Sequence, residues 1–183
     1  HHPLPLKFDG SMQMWDCAFK DLATSDYVVG LAGKRSGGNL YVLARKKKIT
    51  NVLGTCQLVR ELSFEFPEII RKGVEDKANG PAVISTMTVE LPGMVAIKAE
   101  GSKESRWQSA AAAVESGNVY LPYDAIWKED FIEVCASVPH GKYDDDADAI
   151  AHMILQMLGN RLAGMLDWMK EQDEKMIARK KAA

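Results

Sequence analysis

A hairpin near the start of the chain sets most of what it can become. Residues 27–34 (YVVGLAGK) and 39–45 (NLYVLAR) both read as strands, and Ser36-Gly37-Gly38 between them supplies the turn residues of an antiparallel ribbon. An earlier segment, residues 12–19 (MQMWDCAF), alternates apolar and polar positions around Asp16 and predicts a third strand. Helices and strands then alternate. Residues 51–66 carry Val52, Cys56, Val59, Leu62 and Phe66 at spacings of three and four, an amphipathic helix stopped by Pro67. A short strand (69–75), a helix opened by Gly80-Pro81 (80–91), a buried strand (94–99) and a helix capped by Gly117 (105–116) follow. A brief strand (119–121), a helix (125–136) and a helical pattern from Asp145 nearly to the end complete the order. Three strands followed by such alternation predict an α/β fold with a mixed sheet flanked by helices.

Composition narrows the class. The 183 residues are 46% hydrophobic and 26% charged, as in an ordinary globular domain, which excludes collagen-like, disordered and disulfide-scaffold readings. The three cysteines Cys17, Cys56 and Cys135 lie far apart and read as reduced thiols, which favours a cytosolic setting. No apolar run approaches the roughly 18 residues of a membrane span, and no signal peptide opens the sequence. The net charge of −2, from 23 basic and 25 acidic residues, gives no electrostatic footprint of a nucleic-acid binder. Residues 1–11, punctuated by Pro and Gly, read as a linker or cut end, 12–158 as one domain, and 159–183 as a helical extension.

Three acidic places carry the chemistry. Asp16 lies inside a strand, where a carboxylate is costly unless paired or metal-bound. Glu75 ends a short strand, where open α/β sheets keep their sites. Asp144, Asp145, Asp146 and Asp148 crowd the start of the last helix; capping accounts for one of them, and four within five residues repel one another. The three places converge if the first and fourth strands lie side by side. Oxygen ligands without a His/Cys set suit hard cations such as Mg2+ or Mn2+, and two ions about 3.5–4 Å apart would serve an in-line phosphoryl displacement. Gly30-Leu31-Ala32-Gly33-Lys34-Arg35-Ser36 is not a phosphate loop, because its spacing fails and it runs from strand into hairpin.

Four blocks carry a resemblance over roughly residues 12–155. They are Trp15-Asp16-Cys17-Ala18-Phe19-Lys20-Asp21 with Thr24-Ser25-Asp26-Tyr27-Val28-Val29-Gly30, and Val74-Glu75-Asp76-Lys77-Ala78-Asn79-Gly80. Next come Lys98-Ala99-Glu100-Gly101-Ser102-Lys103-Glu104-Ser105-Arg106 with Gly117-Asn118-Val119-Tyr120-Leu121-Pro122, and His140-Gly141-Lys142-Tyr143-Asp144-Asp145-Asp146-Ala147-Asp148-Ala149. In this order they resemble the C-terminal nuclease domain of the large terminase subunit of tailed bacteriophages, a ribonuclease-H-like fold. The resemblance implies an endonuclease that cuts concatemeric viral DNA during packaging, with Mg2+ or Mn2+, two ions, held by Asp16, Glu75 and Asp144 or Asp145. The family's late His-Asp-Asp motif has Tyr143 in place of the histidine, which leaves open which of the two is the principal ligand. Asp148 is expected to orient ligands.

The resemblance also implies partners. These are double-stranded DNA, the ATPase half of the same protein, the portal and the small terminase subunit, with no membrane, in the cytoplasm of an infected bacterium rather than in the virion. Lys20, Lys77, Lys103, Arg106 and Lys142, beside the acidic blocks, are expected to hold phosphates. The lysine run 46–48 reads as a solvated strand edge. Met153, Met157, Leu158, Leu162, Met165, Leu166 and Met169 recur at helical spacing; core packing is the default reading, docking of another subunit the rival. Other ribonuclease-H-like nucleases, such as a junction resolvase or RNase H, share the carboxylate logic. A non-catalytic docking domain is the remaining alternative.

Overall fold

The computed structural model describes residues 3–17 and 27–159. Six strands form one sheet: β1 (Gly10–Asp16), β2 (Val28–Ser36), β3 (Asn39–Lys48), β4 (Lys72–Glu75), β5 (Met94–Ile97) and β6 (Val119–Tyr120). The helices are α1 (Val52–Glu65), α2 (Gly80–Met87), α3 (Lys103–Glu115), α4 (Lys128–Ser137) and α5 (residues 145–159). The strand order is β5-β4-β1-β2-β3-β6. β1, β2 and β3 pair antiparallel, with Gly37 at φ +61° in the two-residue turn between Ser36 and Asn39, as the hairpin signal required. β4 and β5 join the other side of β1 in parallel, and β6 pairs in parallel with β3. The sheet is therefore mixed, with helices on both faces, as the sequence pattern predicted.

Two apolar clusters separate the faces. Met12, Met14, Leu31 and Val42 pack against Ala110 and Ala113 of α3, Phe131 of α4, and Ala149, Ile150, Met153 and Ile154 of α5. Trp15, Ala32, Ala44 and Val74 pack against Cys56, Val59 and Leu62 of α1 and Val83 and Met87 of α2. The period of two puts Met12 and Met14 on the α5 face of β1 and Trp15 on the other. By the same alternation Asp16 faces the α5 layer, and so does Glu75, since its neighbour Val74 faces α1 and α2.

Some boundaries moved. β1 begins at Gly10, two residues before the expected start, and Asp9 just before it is tied by its carboxylate to the Arg35 Nε at 2.8 Å. The expected buried strand after α2 is a sheet edge: β5 has one neighbour, β4, and Val95 is 38% exposed. The Met-rich face of α5 is core where it is described, with Met153, Met157 and Leu158 buried. Lys20, and nearly all of the expected extension (160–183), lie outside the described residues. No described helix is long and apolar enough to cross a membrane.

One close approach depends on a missing side chain. Gly30 stands opposite Trp15 in the β1–β2 register, and a Cβ there would run into the Trp15 ring. Gly30→Ala is expected to cost about 1–3 kcal/mol by overpacking. For a chain of this size the melting temperature should fall by about 2–4 °C per kcal/mol, and an unchanged melting curve would refute this packing.

Candidate active site

The register of the parallel pair builds the site. Met14 pairs with Gly73 and Trp15 with Val74, so Asp16 and Glu75 leave the sheet as neighbours at the carboxyl ends of β1 and β4. Their side chains are buried and hydrogen-bonded to each other. α5 crosses the same end of the sheet and brings Asp145, Asp148 and His152, all buried, over the pair. Three turns of one helix face explain this, since 145, 148 and 152 are spaced by three and four.

The electrostatics follow. Burial pushes the Asp16 carboxyl well above the usual carboxylate range, and the negative charges of Glu75, Asp148 and Asp145 push it further. Burial also opposes the charged form of Glu75, but the His152 hydrogen bond, the charge of Lys77 and the hydrogen bond from Asp16 hold its carboxyl below the usual range. Without a metal, Asp16 therefore keeps a proton and donates it to the Glu75 carboxylate. His152 Nε2 is 3.3 Å from Glu75 Oε1 and donates to it.

The other half of the site is held from α3. Ser102 caps this helix, its hydroxyl accepting from the Ser105 N–H. Lys103 Nζ lies 2.7 Å from Asp144 Oδ2 and 2.6 Å from Asp148 Oδ2. Trp107, one turn on, donates Nε1–H to Asp148 Oδ1 at 3.0 Å. Burial raises the Asp148 carboxyl, and Lys103 partly offsets the rise.

Asp146 belongs to none of this. It is fully buried, accepts two bonds from the Arg45 guanidinium at 2.7 and 2.6 Å, and pairs with Lys47 at 2.7 Å. Asp130 of α4 completes the knot on Arg45. This ion pair clamps the start of α5 to β3. Lys47 is thereby a strut rather than part of a solvated edge.

The structure thus brings Asp16, Glu75, Asp145 and Asp148 together, with Asp144 at the rim on Lys103. Lys77 and Lys142 are exposed near the same end, Lys142 standing 4.9 Å from the centroid of the Tyr143 ring. Arg106 is buried, its Nη1 donating to the Gly101 carbonyl at 3.4 Å. Sequence reasoning missed His152 and Trp107. The signal was available in the i, i+3, i+7 run of Asp145, Asp148 and His152, and in the i, i+4 step from Lys103 to Trp107.

The donor set suits a hard divalent cation: oxygen ligands, buried, with one carboxyl kept protonated by its neighbours. Among the described residues no three His, Cys, Asp or Glu side chains are already closed around one point. The metal-free site instead satisfies its acids with a shared proton, His152, Trp107 and Lys103.

Parallel strands laid beside an antiparallel hairpin, with acids at the strand ends and on the last helix, define a ribonuclease-H-like nuclease fold. The model of the Terminase RNaseH-like domain matches residues 13–157, and the chain belongs to that family. Among solved structures, a full-length large terminase from a thermophilic bacteriophage is similar at 11% identity and TM-score 0.62, over 85% of this chain and 41% of that one. The chain thus spans less than half the length of that relative. The large terminase nuclease of thermophilic phage G20c with bound magnesium is similar at 14% identity and TM-score 0.61, over 78% of each chain. The human cytomegalovirus terminase nuclease domain, Mn soaked and inhibitor bound, is similar at 11% identity and TM-score 0.58, over 80% of this chain and 83% of that one. No curated protein matches the chain.

Two substitutions in neighbouring acids should act in opposite directions. Asp146→Asn leaves Arg45 and Lys47 without their buried partner and should lower stability by about 3–5 kcal/mol. Asp16→Asn keeps a donor to Glu75 and removes a titration. Because folding raises the Asp16 pKa, the fold favours its protonated form, so metal-free wild type loses stability as pH rises above about 4, the unfolded value. Asp16→Asn lacks that loss, so its melting temperature should exceed that of wild type by a margin that grows from about pH 4 to about pH 8. A margin that shrinks with pH would show that Asp16 is ionised in the fold.

Proposed function

We propose that the chain is a divalent-metal-dependent DNA endonuclease, the cutting domain of a packaging motor, acting on concatemeric viral DNA with low sequence specificity. The observation that carries this reading is the convergence of buried Asp16, Glu75, Asp145 and Asp148 at one end of the sheet, in a chain of the terminase family. Asp16, Glu75 and Asp145 are assigned as catalytic metal ligands, with Asp148 orienting and Asp144 at the rim. Asp145 rather than Asp144 is taken as the principal late ligand, because Asp145 charge acts on Asp16 while Asp144 is turned to Lys103. Magnesium or manganese, two ions in the complex with DNA, would stabilise charge on the attacking and leaving oxygens of the phosphodiester.

The chain's own residues supply the rest. Glu75, held by His152 Nε2–H and the charge of Lys77, stays ionised as a ligand. Asp16 gives up its proton when a cation replaces the shared hydrogen bond, so metal affinity falls in acid. Exposed Lys77 and Lys142 with Arg106 are assigned to backbone phosphates, which fixes position without reading bases. Lys20 belongs to the same assignment by sequence. Bound cations reverse the local sign at the site, so an overall charge of −2 is compatible with a DNA substrate. In the whole motor the partners are the ATPase half of the same protein, the portal and the small subunit, in the cytoplasm of the infected host.

The test is nicking of supercoiled plasmid with Mn2+ or Mg2+, beside branched DNA and RNA–DNA hybrid. Wild type should cut plasmid, and Asp16→Asn should lose at least about a hundredfold in rate while its melting temperature holds or rises. Undiminished cutting by Asp16→Asn, or preference for the hybrid, would overturn the assignment.

A further inference from the structure

The Lys103 ammonium sits where a cation should sit. It bridges Asp144 Oδ2 and Asp148 Oδ2 at 2.7 and 2.6 Å, and lies 5.2 Å from the centroid of the Trp107 ring. Trp107 holds the other oxygen of Asp148, so both oxygens of that carboxylate are engaged from α3. The Asp16–Glu75 half of the site is organised differently, around a proton that a metal can displace. The carboxylates are therefore divided into two unlike seats. One holds a removable proton, and the other holds a tethered positive charge.

We propose that Lys103 fills the second cation seat of the DNA-free protein, so that the chain binds one divalent ion on its own and takes a second when DNA arrives. This rests on the metal-dependent reading above and specifies how that site is loaded. A magnesium ion demands oxygens at about 2.0–2.1 Å in near-ideal octahedral geometry, whereas the ammonium accepts looser contacts. The two cannot share the same pair of oxygens, and like charge keeps a second ion out while Lys103 is in place. An incoming phosphate offers the ammonium another anion and the second ion more oxygens, so the exchange is coupled to substrate. Wasteful loading of a fully armed site without DNA is thereby avoided. Sequence reasoning places Lys103 directly on DNA; the ion pairs place it first on the acids.

The experiment is calorimetric titration of the full 183-residue chain with Mn2+ alone, without DNA, in wild type, Lys103→Met and Lys103→Arg, each checked for folding by thermal melt. The expected result is one ion per chain in wild type and Lys103→Arg, and two in Lys103→Met, which keeps the stem and loses the charge. Two ions in wild type, or one in Lys103→Met, would overturn the role of Lys103 while leaving a metal centre standing. No ion in any of the three would overturn the metal reading itself.

Discussion

Parallel pairing of β1 with β4 is the constraint on which everything else rests. Its register carries Asp16 and Glu75 off the sheet side by side, both toward the α5 layer. Two carboxylates buried together cannot both ionise cheaply, and the fold answers with a shared proton, a histidine and a nearby lysine rather than with solvent. A protein that needed these residues for stability alone would gain by replacing them with apolar ones. Their presence in a packed sheet is a cost that a bound cation would relieve.

The aspartate run on α5 shows how helical geometry divides labour among near-identical residues. Asp145 and Asp148 share the face that looks toward β1 and β4. Asp146, one residue on and so roughly a quarter-turn round the helix, points the other way into Arg45 and Lys47. The same clamp that buries Asp146 fixes the rotation of α5, and that rotation aims its neighbours at Asp16. Asp144, before the helix begins, is half-exposed and follows Lys103. A run that looked like surplus charge is one strut, two site carboxylates and one rim residue.

Much of this was legible in the sequence. The hairpin, the helix–strand alternation and the placing of Asp16 and Glu75 at strand positions follow from periods of two and 3.6 and from Gly and Pro punctuation. The pairing of the first and fourth strands was a condition that the acids suggested and the sheet order then met. Partner choice among charges was not legible. Lys47 and Arg45 lie about a hundred residues from Asp146, and no local spacing reports such a contact. His152 was passed over because it has no cysteine or histidine at ligand spacing, although its place on the Asp145–Asp148 face was there to be read. The exposure of Val95 was hidden for another reason: an apolar strand at the edge of a sheet has the same composition as one in its middle.

The most direct measurement is an anomalous-scattering map from crystals soaked in Mn2+. The account predicts a peak bounded by Asp16, Glu75 and Asp145, with Lys103 still on Asp144 and Asp148 in the absence of DNA. Strong peaks confined to other parts of the surface, with the Asp16–Glu75 hydrogen bond intact, would contradict it.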